Sequence, residues 1–188
     1  GAEVRSGKIT GLKKTGDRVT AVVLEDDEVI CETVVLAMGP WSAHAEAWLD
    51  VVVPVKPLRG EILRMDVPDQ EPLSHDLSGM GVSLHARRGL VWIGTTEESR
   101  GFDVEPSEAT RQSLTASATK LMPAMAGARL AQHTVCLRPV TPDWLPVLGP
   151  ASGWSNVFLA TGAGKKGILI SPGMGKAVAD LVTTGSTD

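Results

Sequence analysis

Hydrophobic and polar positions fall along this chain in three regimes: short alternating runs, uninterrupted apolar runs, and stretches with helical spacing. Lys8–Thr15 and Arg18–Leu24 flank Gly16-Asp17, a two-residue hairpin signal, and the polar Asp26-Asp27-Glu28 turn leads into Val29–Cys31. Thr33–Met38 is apolar throughout and closes on Gly39-Pro40, the pattern of a strand buried on both faces of a parallel sheet. Beyond Pro54, Val55–Val67 is a predicted long strand, with Gly60 marking a bend or a close backbone approach. Val82–Ala86 and Leu90–Thr95 form a predicted hairpin around Arg87-Arg88-Gly89. Leu114, Ala118, Leu121 and Met122 then recur at helical spacing behind a Ser107 cap, until Pro123 stops the helix, and Ala131–Leu137 returns as a strand. Last come a strand at Asn156–Thr161, a glycine-rich turn, and a helix predicted to open at Ser171-Pro172 and stop at Gly185.

Composition narrows the class without naming a function. With 188 residues, 43% hydrophobic and 21% charged, the chain has room for one sizeable domain or two small lobes. A net charge of −4, with no long single-sign stretch, disfavours nucleic acid or an anionic membrane surface as partner. No apolar run reaches membrane-spanning length, and the first residues lack a signal-peptide pattern. Cys31 and Cys136 are too few for a disulfide framework and suit a reducing compartment, so a cytoplasmic location is expected. His44, His75, His85 and His133 are scattered singly, so no metal site is expected.

Gly162-Ala163-Gly164-Lys165-Lys166-Gly167 satisfies G-x-G-x-x-G between a strand and a helix. A dinucleotide fingerprint would need a further strand and an acidic residue after the helix, which the sequence does not supply. Two readings stay open. Backbone N–H groups before a helix can stabilise negative charge on a reduced flavin ring. Equally, the segment can be a tight strand-to-helix turn with no ligand.

Five segments in order give the chain a specific resemblance. VVLAMGPWS (Val34–Ser42), PVKPLRGEILRM (Pro54–Met65), LVWIGTTEESRGFD (Leu90–Asp103), LRPVTPDWLPVLG (Leu137–Gly149) and the closing NVFLATGAGKKGILISPGMGKAVADLV resemble the FAD-dependent family of D-amino acid oxidase, glycine oxidase and sarcosine oxidase. The resemblance spans about residues 4–183 and corresponds to the C-terminal part of such proteins. It implies a mixed α/β (α+β) fold: part of a Rossmann-like FAD-binding lobe (1–52 and 138–188) and an antiparallel-sheet substrate lobe (53–137). The family's N-terminal dinucleotide-binding βαβ unit is missing from this sequence, so a missing N-terminal half is the expected partner.

The implied reaction is oxidation of the C–N bond of a small amino acid or secondary amine, with FAD as the cofactor. By resemblance, Arg138 holds a substrate carboxylate, for which a guanidinium fork is well matched; pairing with a local acid such as Asp143 is the alternative. Lys165 is a candidate for substrate or flavin binding, against the alternative of solvated lysines at 165 and 166. Gly162, Gly164, Gly167 and Ile168 are expected at the flavin's pyrimidine edge, and Gly39 and Trp41 along the FAD channel. Gly60 and Glu61 are read as approaching the ring or as plain strand residues. Thr95 and Thr96 are read as hairpin stabilisers rather than ligands, and Met80 and Trp92 as core or pocket wall, with core the safer reading. Neither cysteine falls where covalent attachment is expected, so the FAD is expected to be noncovalent. The chain has no tyrosine, Cys136 stands where relatives carry a small glycine, and Trp144 replaces another usual glycine. A non-catalytic fragment or interaction module of the same fold is the alternative function.

Overall fold

A computed structural model describes residues 1–68 and 73–187. The chain divides into two compact units, one comprising Gly1–Lys56 and Arg138–Asp188 and the other Pro57–Leu137.

In the first unit, β1 (Ile9–Thr15) and β2 (Arg18–Leu24) form an antiparallel hairpin with Gly16 at φ 59°, and β3 (Glu28–Ile30) adds to β2. A left-handed first loop residue matches the right-handed twist of the two strands, which is why the Gly-Asp pair marks the turn in the sequence. A short strand β4 (Val34–Leu36) leads through a 3-10 segment (Gly39–Ala45) into α1 (Glu46–Leu49). Its core joins Val19, Val34, Leu36, Leu49, Val53, Val157 and Leu159.

In the second unit, β5 (Lys56–Asp66), β6 (Leu77–Gly79), β7 (Val82–Arg87), β8 (Leu90–Gly94) and β9 (Arg129–Val140) form a sheet of order β6-β7-β8-β5-β9. The long helix α2 (Glu108–Leu121) covers one face. Alternation does the sorting: Leu63, Met65, Leu84, Val91 and Ile93 point at Leu114, Ala118 and Met122, while Arg64, His85 and Trp92 take the other face. The Ser107 side chain accepts a hydrogen bond from the Thr110 N–H, the cap expected from sequence.

Back in the first unit, β10 (Val147–Pro150) pairs antiparallel with β11 (Val157–Thr161), which pairs in parallel with β4. A 3-10 turn (Gly164–Lys166) then opens α3 (Gly167–Thr184), closed by Gly185 in the left-handed conformation.

Three expectations need correction. The helix expected to start at Ser171-Pro172 starts at Gly167, so Pro172 lies inside it. Proline removes the N–H that would bond to the Ile168 carbonyl, and the Ser171 hydroxyl donates to that carbonyl instead at 3.0 Å. The apolar run 33–38 yields only a three-residue strand, in which Val34 and Leu36 are buried and Val35 is 42% exposed. Met80 is not core: it is 64% exposed, paired with Gly81 in a two-residue hairpin loop where both residues have positive φ.

Candidate functional site

The parallel pairing of β4 with β11 decides where the predicted glycines lie. In parallel strands the carboxyl ends share an edge, so the turn after Leu36 and the turn after Thr161 emerge side by side. Gly39 (φ 55°) and Gly162 (φ 75°) both take backbone conformations that side chains resist. Hydroxyls tie the two turns together. Ser42 Oγ and Thr161 Oγ1 are 2.6 Å apart, Ser42 donates to the Gly39 carbonyl at 2.7 Å, and Thr161 Oγ1 lies 3.2 Å from the same oxygen. Both hydroxyl residues are buried, and the sequence reading did not single them out.

The second turn has no room for a side chain at Gly162. A Cβ at Gly162 would lie 2.8 Å from Thr141 Cγ2, and one at Gly164 would lie 3.5 Å from the Trp144 ring. Gly167 begins α3, whose N-cap, Lys166, makes no side-chain cap hydrogen bond. Backbone N–H groups of the helix's first turn are therefore not taken by a capping side chain, the condition under which an anionic or electron-rich ring edge is accepted there. Ile168 is 95% exposed, and Trp41 is half exposed.

An antiparallel bridge between Val140 and Ala163 brings the end of β9 against this turn. Arg138 stands two residues before the bridge on one segment, and Lys165 two residues after it on the other. The two predicted cations are thus carried by adjoining backbone. Arg138 is half-buried. Lys165 Nζ lies 5.2 Å from the centroid of the Trp144 ring, a cation–π contact. Asp143, the local acid of the alternative reading, accepts a hydrogen bond from the Leu145 N–H at 3.1 Å. That N–H, with the Thr141 hydroxyl, holds the Asp143 carboxyl below its ordinary range. The site therefore offers shaped backbone and positive charge; among the described residues no cluster of His, Cys, Asp and Glu could hold a metal.

The second unit contains a charged cluster that the sequence reading did not bring together. Glu61 and Arg59 are fully buried strand residues, with Arg59 Nη1 2.6 Å from Glu61 Oε1 and 3.0 Å from Glu98 Oε1. Arg59 Nε donates to the Asp103 carbonyl at 3.1 Å, and Nη2 donates to the Glu105 carbonyl. Glu61 accepts from the Ser107 N–H at 3.0 Å and lies 2.5 Å from His133 Nε2. Burial pushes the Glu61 carboxyl up, but the Ser107 N–H, Arg59 and Thr110 together outweigh it and hold it below the ordinary glutamate range. One arginine thereby anchors residues 98–105 to β5, and Glu61 fixes the start of α2. Thr96 belongs to the same anchorage, since its hydroxyl accepts from the Glu61 N–H at 3.0 Å. It lies beyond the end of β8, outside the hairpin it was expected to stabilise. On the opposite face of the sheet, Arg64 stacks 4.1 Å from the Trp92 ring centroid, beside a cavity of about 410 Å³ that includes Ser83, His85 and Gly94.

Glycine turns at the carboxyl edge of parallel strands, followed by an uncapped helix start, define the class as a mixed α/β protein. The chain belongs to the family of FAD dependent oxidoreductases termed DAO, whose model matches residues 1–181. It is similar to glycine oxidase of Pseudomonas aeruginosa, 33% identical over 177 residues that cover 94% of this chain and 48% of the relative. It is also similar to D-amino acid dehydrogenase of Xanthobacter autotrophicus, 33% identical over 93% of this chain and 42% of that protein. Among solved structures, glycine oxidase from Geobacillus kaustophilus superposes with a TM-score of 0.85 at 28% identity, covering 93% of this chain and 47% of that one. The chain thus spans about half the length of the relatives it matches.

Proposed function

We propose that this chain supplies the ring-binding and substrate-binding part of an FAD-dependent enzyme that oxidises the C–N bond of a small amino acid or secondary amine. The observation that carries the reading is the pair of glycine turns, Gly39 and Gly162, side by side at the carboxyl edge of β4 and β11. FAD fits the residues present: a side chain is excluded at Gly162, Gly164 takes a positive φ that side chains resist, and the uncapped α3 terminus offers N–H donors beside them. Gly162, Gly164, Lys165, Gly167 and Ile168 would hold the pyrimidine edge noncovalently, with Gly39 and Trp41 beside the channel. Held there, FAD would supply the two-electron acceptor needed to oxidise the bond between the substrate nitrogen and its neighbouring carbon.

The chain's own residues bind and orient. Arg138 presents a planar fork to the substrate carboxylate, and Lys165 adds positive charge that favours electron density on the ring. An N-terminal half of the kind its relatives possess would complete the diphosphate site. The free thiols of Cys31 and Cys136 suit a cytoplasmic protein.

The test is Arg138→Ala in the flavin-loaded protein. KM for a carboxylate-bearing amine is expected to rise about 30- to 1000-fold, the loss associated with a buried charge pair; an unchanged KM would contradict the assignment. A second reading, a non-catalytic interaction module, draws on the exposure of Ile168 and Leu169, apolar residues that a partner chain would cover. Absence of any flavin binding would favour that reading.

A further inference from the structure

On the sheet face of the second unit that points away from α2, strand pairing sets residues in two neighbouring rows. Ile62, Gly94 and Ser83 form one row, uncharged throughout. Arg64, Trp92 and His85 form the next, and Arg87 follows His85 on the same face of β7. Ile62, Ser83, His85, Trp92 and Gly94 all line the cavity of about 410 Å³, within the size range of small-molecule sites. Two guanidiniums share one indole: Arg64 Cζ lies 4.1 Å and Arg87 Cζ 5.8 Å from the Trp92 ring centroid. Like charges held over one ring repel each other, and an anion between them would relieve that. The chain's own groups do not supply it. Arg64 Nη1 donates to Gln132 Oε1 at 2.9 Å and to Thr134 Oγ1 at 3.1 Å, both neutral. Asp66, on the same face of β5, is taken by Arg129 at 2.6 Å, and Asp76 lies 2.7 Å from His85 Nδ1. Among the described residues no carboxylate pairs with Arg64 or Arg87. Trp92 Nε1 adds a buried donor with no protein acceptor. Glu97, the carboxylate on the cavity wall, stands past the end of β8.

We propose that this face binds a small carboxylate with an apolar body, its acid group held by Arg64 and Arg87 and its body laid along Ile62 and Gly94. Each guanidinium offers a planar fork matched to a carboxylate. Gly94, with no side chain, leaves room for the body beside Ile62. The proposal does not rest on the flavoprotein reading. None of these residues belongs to the glycine turns, and the acid group taken here is separate from the one assigned to Arg138. A neutral alcohol of the same length keeps only the apolar contact. A short acid keeps only the charge.

The probes are hexanoate, hexan-1-ol and acetate, titrated into the full chain without flavin and followed by ligand-observed NMR. Hexanoate is expected to bind about tenfold more tightly than either of the others, the order that a charged hydrogen bond adds to an apolar contact. Arg87→Gln should weaken hexanoate by about threefold or more, as loss of a partly exposed charge pair does, and leave hexan-1-ol unchanged. Arg64→Gln should act the same way, and the double variant should erase the preference for the acid. Arg88→Gln removes an equal charge from the adjoining hairpin loop and should change nothing. Arg87 is exposed and holds no carboxylate of the chain, so its variant carries the test even where Arg64→Gln lowers the melting temperature. Equal binding of hexanoate and hexan-1-ol, no hexanoate binding, or the same loss in Arg88→Gln as in Arg87→Gln overturns the proposal. So does inorganic phosphate or acetate binding as tightly as hexanoate, which would reduce the face to a general anion patch. Displacement of hexanoate by riboflavin would assign the cavity to the flavin and overturn it as well. Riboflavin binding without hexanoate binding leaves the flavin reading standing and removes only this one.

Discussion

Asn156 makes every hydrogen bond its amide can usefully make between segments distant in sequence. Its Oδ1 accepts from the Val19 N–H at 2.9 Å, and its Nδ2 donates to the carbonyls of Val19 and Glu32, both at 2.7 Å. Asn156→Ala would strand these buried backbone groups, so a loss of about 2–4 kcal/mol is expected in urea unfolding. Arg59 is a harsher case. Removing it leaves Glu61 buried and unmatched, and Arg59→Ala should cost about 3–5 kcal/mol. The Glu61 carboxyl is held below its ordinary range in the folded protein, so its contribution is complete above that range and fades as pH falls through the lowered value. Unfolding midpoints measured from about pH 7 down to pH 3 should therefore fall more steeply for the wild type than for Glu61→Gln; parallel curves would contradict the assignment. The inward placement of this pair was legible in principle. Arg59, Glu61, Leu63 and Met65 alternate on one face of β5, and a strand that buries Leu63 and Met65 must bury the other two. The polarity of the pair argued the other way. Trp144's left-handed backbone, by contrast, shows only through the resemblance, in the usual glycine that the tryptophan replaces.

Among the elements, hairpins and the capped helix were readable because each rests on local chemistry. Gly16-Asp17 set one turn, and Ser107 and Pro123 bounded α2. The start of α3 was not readable. Ser-Pro is a strong initiation signal, yet the Ser171 hydroxyl supplies the bond that Pro172 displaces, and the helix begins four residues before the serine. Loop chemistry also leaves stability unused. Met80 occupies the first position of a turn with positive φ at both residues, where asparagine is far better tolerated. Met80→Asn is expected to raise stability by about 0.5–1 kcal/mol, checked by thermal unfolding. A fall would mean that the methionine packs in a way its exposure does not show.

At the scale of the whole molecule, the ordered motifs carried more than any periodicity did. They pointed to a family that residues 1–181 match, whereas the glycine turn alone left a ligand and an empty turn equally open. Sequence could name Gly39 and Gly162 as candidates, but only the parallel register of β4 and β11 sets their turns on one edge. Ser42 and Thr161 escaped notice because buried hydroxyls that join two turns leave no spacing to read. Among the described residues, no helix is long and apolar enough to cross a membrane. The central claim is that this edge holds a flavin ring. The most direct test is the visible absorption spectrum of the purified chain titrated with riboflavin, which carries the ring without the diphosphate, and then with FAD. A saturable shift and sharpening of the flavin bands with both ligands is the expected result. Spectra identical to those of the free flavins across the titration would contradict it.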